Sequence, residues 1–173
     1  GCDVLSQTEW APKILEAGEK LSSVTQHLIA PRRAMAQEFN EADLSPRFRS
    51  NGTSMPANPR YLALAAGGFA DYRLVVDGLV EKPASLSLAQ VRALPSRTQI
   101  TRHDCVEGWS AIGKWKGARL SALLEAVQPK PQARFVVFHC ADPKGDGTSL
   151  YYESIDLEDA FHPQTILAYD LND

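Results

Sequence analysis

Between Tyr72 and Leu171 the chain switches repeatedly between short apolar stretches and breakers, and this constrains its fold more than any other feature. Tyr72-Arg-Leu-Val-Val-Asp77 alternates and stops at Asp77-Gly78, which predicts a strand and a turn. Ser87-Leu-Ala-Gln90 has capping-box spacing ahead of Val91, Leu94 and Pro95, which predicts a short helix. Thr98 to Val106 reads as a strand. Leu120, Leu123, Leu124 and Val127 recur at helical spacing between Arg119 and Pro129. Arg134 to His139 reads as a buried strand, Asp142 to Gly147 as a loop, and Leu150 to Glu153 as a further strand. Asp156 to Phe161 is expected to be a short helix with acidic residues in its first turn, and Thr165 to Leu171 a last strand. This rhythm is that of an α+β domain, not the βαβ alternation of a doubly wound sheet. Gly67-Gly68 and Gly145-Asp-Gly147 lack the context of a phosphate-binding loop, and no internal repeat is visible.

The first 58 residues are of another kind. Ile14, Leu21 and Leu28 recur every seven residues with Ala17 and Val24 between them, which predicts a helix from Pro12 to Ile29, ended by Pro31. A short helical piece is expected from Arg32 to Phe39. Leu44 to Pro56 is rich in Pro, Ser, Asn and Gly and reads as extended chain with a turn at Asn51-Gly52. At 173 residues and 44% hydrophobic, the chain can build one good core and is short for two. Residues 1–50 are therefore expected to be an arm, docked on the domain formed by 51–173 or on a neighbouring chain.

Composition removes several classes of function. Eighteen Lys and Arg against 21 Asp and Glu leave a net charge of −3, so no basic excess points to nucleic acid. No stretch approaches the roughly 18 apolar residues of a membrane span. Three cysteines, Cys2, Cys105 and Cys140, are too few and too scattered for a disulfide framework. The head of the chain, Gly1-Cys2-Asp3, resembles that of a mature bacterial lipoprotein, in which the signal is cut just before a lipidated cysteine. An arbitrary boundary beside a cysteine gives the same residues. At the other end, Leu171-Asn-Asp173 follows directly on an expected strand, so the domain is expected to be incomplete there.

The chemistry centres on Cys105, where a strand runs into a Gly-containing loop. Arg102, His103, Lys114, Lys116 and Arg119 surround it in sequence against Asp104 and Glu107, a balance that favours thiolate. Trp109 and Trp115 are candidates to wall off water. The plain alternative is a buried small cysteine among core tryptophans. Three chemistries are open. Zinc has His103, Cys105, His139 and Cys140 to draw on, but His-x-Cys and His-Cys are poor ligand spacings. On a strand His139 and Cys140 also point to opposite faces. A cysteine nucleophile has His103 or His139 as its base. A thiolate holding a soft, high-valent metal needs only one cysteine when a cofactor brings the other ligands.

Asp77-Gly-Leu-Val-Glu-Lys-Pro83, then Leu88 to Pro95, then His103-Asp-Cys-Val-Glu-Gly-Trp-Ser110 resembles the molybdopterin-binding domain of the sulfite oxidase family. The likeness is closest to its bacterial branch, which includes the periplasmic methionine sulfoxide reductase catalytic subunits. Gly117 to Leu124, Tyr151-Tyr-Glu153 and His162-Pro163 match as well, and the likeness covers about 51–173. It implies a mixed-sheet fold and a molybdenum–molybdopterin cofactor whose protein ligand is Cys105. It implies an active-site acid at Glu107 and pterin contacts from Asn51, Ser54 and Met55, with Cys140 near the place of a pterin-contacting Thr. Arg102 and His103 are candidates to face the site, and alternation puts only His103 on the face of Cys105. His139 and His162 read equally well as structural histidines.

The resemblance further implies oxygen-atom transfer to or from a small substrate of sulfite or sulfoxide type. Electrons then pass through a separate partner, a cytochrome or quinone-linked protein, since no heme domain is present. It supports an extracytoplasmic location, periplasmic or, with the head of the chain read as a lipidated Cys2, membrane-anchored. Family members continue with further strands and a basic segment that grips the pterin phosphate, beyond the point where this sequence stops. The competing expectation is a cofactor-free domain of the same fold that serves as a binding or structural module.

Overall fold

The computed structural model describes residues 34–49, 53–144 and 149–173, together with 13, 14, 17, 18, 21, 22 and 25. Two compact units divide the chain, Gly1–Ala34 and Met35–Asp173. In the first, all seven described residues from Lys13 to Thr25 are helical, and the Thr25 hydroxyl donates to the Leu21 carbonyl 2.8 Å away. Ile14 and Leu21 are 61% and 70% exposed; Val24, Leu28 and Pro31 lie outside the described residues, as does Cys2. Among the described residues no helix is long and apolar enough to cross a membrane.

Besides one 3-10 turn at Glu41–Asp43, the second unit holds seven strands and four short α-helices among its described residues. In chain order these are α1 (Pro59–Ala66), β1 (Leu74–Val76), β2 (Ala84–Leu86), α2 (Leu88–Ala93), β3 (Ser96–Asp104), β4 (Ser110–Arg119), α3 (Leu120–Val127), β5 (Phe135–Pro143), β6 (Leu150–Asp156), α4 (Leu157–Ala160) and β7 (Ile166–Leu171). They pair as β1-β2, β3-β4-β7 and β5-β6. The α+β expectation holds, and the described pairings are antiparallel rather than mixed.

The core forms around α3. Leu120, Leu123, Leu124 and Val127 are buried there with Val80 and Ala160. Leu74, Val76, Leu86, Val136, Phe138 and Ile155 pack against them from the strands of the two smaller sheets. A fully buried side chain of this kind is worth roughly 1.5–3 kcal/mol, so α3 is the anchor of the unit. Local signals set the ends of the helices. Ser87 and Gln90 close both arms of the capping box of α2, at 3.2 and 2.8 Å. Asp156 caps α4 by accepting from the Asp159 N–H at 2.8 Å.

Several expectations need correction. The strand read at Tyr72–Asp77 is only Leu74–Val76, and that read at Thr98–Val106 ends at Asp104, leaving Cys105 and Val106 in a turn. The strand at Arg134–His139 is half-exposed, with Phe135 and Val137 facing out, because only alternate residues meet the core. It also runs on to Pro143, into the expected loop, of which 145–147 lie outside the described residues. The helix α1 is unforeseen. Asn58 caps it by accepting from the N–H groups of Arg60 and Tyr61, and Pro59 stands where its missing N–H costs nothing.

No helix forms among residues 34–39. Their backbone finds long-range partners instead. Glu38 forms a bridge with Thr101, the Phe39 N–H donates to the Ile100 carbonyl at 2.9 Å, and the buried Gln164 amide pairs with both backbone groups of Ala36. Gly113 and Gly117 both lie within β4, where other parts of the chain approach closely. A methyl group on Gly117 would stand 2.7 Å from the Ala168 Cα and closer still to the Leu167 carbonyl oxygen, at the irregularity where β7 pairs with β4. We therefore expect Gly117→Ala to destabilise the unit by about 2–3 kcal/mol, as overpacking does. Gly67→Ala, which meets only ordinary contacts, should stay within about 0.5 kcal/mol. Urea unfolding midpoints of the two variants check this, and equal midpoints would contradict it.

Candidate functional site

Antiparallel pairing of β3 with β4 runs without a break from Ser96↔Ala118 to Asp104↔Ser110, and the turn that joins them carries Cys105. The Cys105 N–H donates to the Trp109 carbonyl and the Gly108 N–H to the Cys105 carbonyl, each at 2.9 Å. Gly108 has φ 85°, a conformation that L side chains avoid. This is a hairpin loop in which a β-turn is closed by a glycine bulge. Cys105 is half-buried at its tip, a free thiol, while Val106 and Glu107 are exposed. The Trp109 indole N–H donates to Glu107 Oε2 at 3.1 Å, so the carboxylate has an orienting partner two residues away.

Alternation then sorts the neighbours onto two faces. His103, Cys105, Trp109, Ala111, Gly113 and Trp115 share one. His103 stacks on Trp109 with ring centroids 6.0 Å apart, and Phe48, from the segment before the domain's first helix, meets His103, Trp109 and Trp115 edge-on at 5.9, 6.2 and 5.1 Å. The other face carries the charge. Arg102 Nε bonds Asp104 Oδ1 at 2.7 Å, and the Ser110 hydroxyl donates to the same oxygen. Lys114 is paired with Glu41 at 3.1 Å. The cations that flank Cys105 in sequence thus include Arg102 and Lys114, which are committed to carboxylates on the opposite face.

The expected site residues are only partly brought together. His103, Cys105 and Glu107 share the hairpin end with Trp109. Ser54 and Met55 lie in an exposed bend, with the Met55 N–H donating to Thr53 Oγ1 at 3.1 Å. Cys140 lies on β5, in a different sheet. No hydrogen bond or ring contact joins these three to Cys105 among the described residues. Asn51 lies outside them, with Gly52. Burial pushes the Cys140 thiol up, and the Asp142 and Glu153 carboxylates push it further, so Cys140 is a neutral thiol at neutral pH. Phe48 is a contributor that sequence reading missed; its one signal is a lone aromatic between Arg47 and Arg49 in a polar stretch.

Among the described residues no three or more His, Cys, Asp or Glu side chains are placed to hold a metal ion. The donor set at the tip is one soft thiol beside one carboxylate. It fits a metal that arrives with ligands of its own, and offers no complete protein site for a bare ion.

The neck of the hairpin makes a pH-dependent contribution. The Ser110 hydroxyl, and after it the Arg102 guanidinium, hold the Asp104 carboxyl below its ordinary range. A carboxyl lowered in the folded state stabilises it above the unfolded pKa of about 4, and that contribution is lost as pH falls through the lowered folded value. Asp104→Asn should therefore flatten the decline in stability below about pH 4 relative to the parent chain. Denaturation midpoints measured from pH 7 to pH 2 test this; parallel curves would contradict it.

Comparison with known proteins identifies the domain. The oxidoreductase molybdopterin binding domain family matches residues 63–173. A putative protein-methionine-sulfoxide reductase subunit YedZ1 of Azospira oryzae is 47% identical over 103 residues, which cover 58% of this chain and 37% of that protein. The protein-methionine-sulfoxide reductase catalytic subunit MsrP of Campylobacter jejuni is 32% identical over 108 residues, covering 57% and 36%. The chain thus spans little more than a third of the length of these relatives. Among solved structures, the sulfane dehydrogenase SoxCD from Paracoccus pantotrophus shares the fold with a TM-score of 0.53 at 20% identity, over 82% of this chain and 37% of its own. The family match takes in most of the second compact unit, including the whole β3–β4 hairpin and α3. The chain belongs to the oxidoreductase molybdopterin binding domain family.

Proposed function

We propose that this chain is the cofactor-holding part of a molybdenum–molybdopterin oxidoreductase that moves an oxygen atom to or from a small substrate, with Cys105 as its protein ligand to molybdenum. The observation that carries the reading is the lone thiol at the tip of the β3–β4 hairpin, with Glu107 oriented by Trp109 two residues further on. Bound there, the cofactor would supply a dithiolene beside the Cys105 sulfur, a two-electron couple and a position for one oxygen atom.

The chain's own residues supply the surroundings. Glu107 keeps one carboxylate oxygen on the Trp109 indole and offers the other to orient water or substrate and to hold a proton. His103 and Trp109 cover the face of the hairpin on which Cys105 stands. Asn51, Ser54, Met55, His103 and Cys140 are the proposed pterin contacts, Cys140 as a thiol donor. The names of the relatives support a sulfoxide as substrate. Reducing a sulfoxide removes its oxygen as water and consumes two protons and two electrons. A separate cytochrome or quinone-linked partner would deliver the electrons. The same reading puts the enzyme on the extracytoplasmic side, periplasmic or held at the membrane, which fractionation of the native protein tests.

In the full-length protein, Cys105→Ser should abolish turnover and alter the paramagnetic signal of the bound molybdenum. A ligand should matter at least as much as the outer-shell groups whose loss costs about 10–100-fold. Glu107→Gln should retain molybdenum and lower kcat by about 100-fold or more, as loss of a positioned proton carrier does. Unchanged signal and turnover in the cysteine variant would overturn the assignment. Purified full-length protein free of molybdenum would favour the cofactor-free module instead.

A further inference from the structure

Phe48 belongs to a segment that is tied to the β3–β4 hairpin along both edges. On the β3 side, Glu38 bridges Thr101 and pairs with Arg97, and the Phe39 N–H donates to the Ile100 carbonyl. On the β4 side, the Ser45 N–H donates to the Ile112 carbonyl at 3.0 Å, and the Ile112 N–H returns a bond to the Ser45 hydroxyl at 2.9 Å. Between these points Glu41 holds Lys114. Three residues past Ser45, the Phe48 ring stands against the face that carries Cys105.

The ring sits in a socket. At Gly113 a methyl group would lie 2.9 and 3.0 Å from two Phe48 ring carbons and 3.0 Å from Leu171 Cδ1, so the absent side chain is what lets the ring approach the strand. From there it meets Trp109, Trp115 and His103 edge-on, an arrangement that ring quadrupoles favour. Trp109 in turn donates to Glu107 and receives the Cys105 N–H on its carbonyl.

We propose that Phe48 is a positioning residue: seated over Gly113, it holds the Trp109 indole in place and thereby sets the exposure of the Cys105 thiol and the orientation of Glu107. The inference rests on the proposed role of Cys105 and Glu107, and it names the part of the chain that regulates their geometry. Neither Phe48 nor Gly113 has a polar group to offer substrate or cofactor, so an effect of changing them passes through the rings that Phe48 meets, of which Trp109 is the one bonded to both Cys105 and Glu107. The strap from Glu38 to Phe48 and the hairpin are then one mechanical unit, and shifting the ring is enough to loosen the tip.

The test uses the full chain without metal, so that its readout does not depend on a loaded enzyme. Iodoacetamide alkylation of Cys105 and Cys140 is followed by peptide mass spectrometry in the parent, Phe48→Leu, Gly113→Ala and Phe48→Tyr. Phe48→Leu removes the ring, and Gly113→Ala displaces it without touching any aromatic residue. Both should speed alkylation of Cys105 by about 3–10-fold, the range expected from losing edge-to-face contacts, with Cys140 unchanged. Phe48→Tyr keeps the ring and should alkylate at the parent rate. In the loaded enzyme the first two variants should lower kcat more than they raise KM. Unchanged Cys105 rates in both, or Cys105 and Cys140 rising together, or a Phe48→Tyr rate as fast as Phe48→Leu, would overturn the proposal. A molybdenum-free full-length protein would overturn the function proposed for Cys105 and leave these alkylation rates standing.

Discussion

A single backbone conformation supports the candidate site. Gly108 turns at φ 85°, and that turn lets the Cys105 N–H reach the Trp109 carbonyl while Gly108 bonds back to Cys105. With the loop closed in this register, the residues that follow enter β4 opposite β3, and Trp109 falls on the face of Cys105 and His103. A one-residue slip of β4 would exchange its side chains between faces, putting Ser110, Ile112 and Lys114 beside His103 where Trp109, Ala111 and Trp115 now stand. The turn therefore decides the polarity of the two faces as well as the location of the thiol.

The division of labour in the fold follows from this hairpin. Stability is concentrated around α3, where Leu120, Leu123, Leu124 and Val127 are buried against the smaller sheets. The hairpin tip has no such core beneath it; Val106 is fully exposed and Glu107 is exposed beside it. Its order comes from pairing and from aromatic contact. The Arg102–Asp104–Ser110 cluster ties the neck on one face, and Phe48 packs the other. A tip stabilised in this way leaves a thiol and a carboxylate accessible, whereas the same residues inside the core would have lost both access and hydration.

Local signals were legible from the residues alone. The Ser87–Gln90 capping box, the apolar face of α3 and the strand ending at Leu171 all stand where spacing put them, because each depends on contacts a few residues apart. The failures share one cause. Residues 34–39 look helical yet form no helix, since backbone groups among them are satisfied by Thr101, Ile100 and Gln164, far along the chain. Gly113 and Gly117 sit within β4, where Phe48 and the backbone of β7 approach too closely for a side chain, a demand made by segments far along the chain. The cations around Cys105 look like its partners, but alternation commits Arg102 and Lys114 to carboxylates on the opposite face.

The motif from His103 to Ser110 was enough to point to a molybdopterin-binding family, and with it to one cysteine and one carboxylate, since their relation is local and a short turn sets it. Adjacency in sequence did not reveal what surrounds that cysteine. The tertiary structure decided that an aromatic ring from 57 residues upstream of it faces the site while Arg102 and Lys114, nearer in sequence, do not. The physical reason is that a strand sends successive side chains to opposite sides and leaves its edges open to distant backbone. Near neighbours are thereby separated, and segments remote in sequence complete the surface on which the thiol stands.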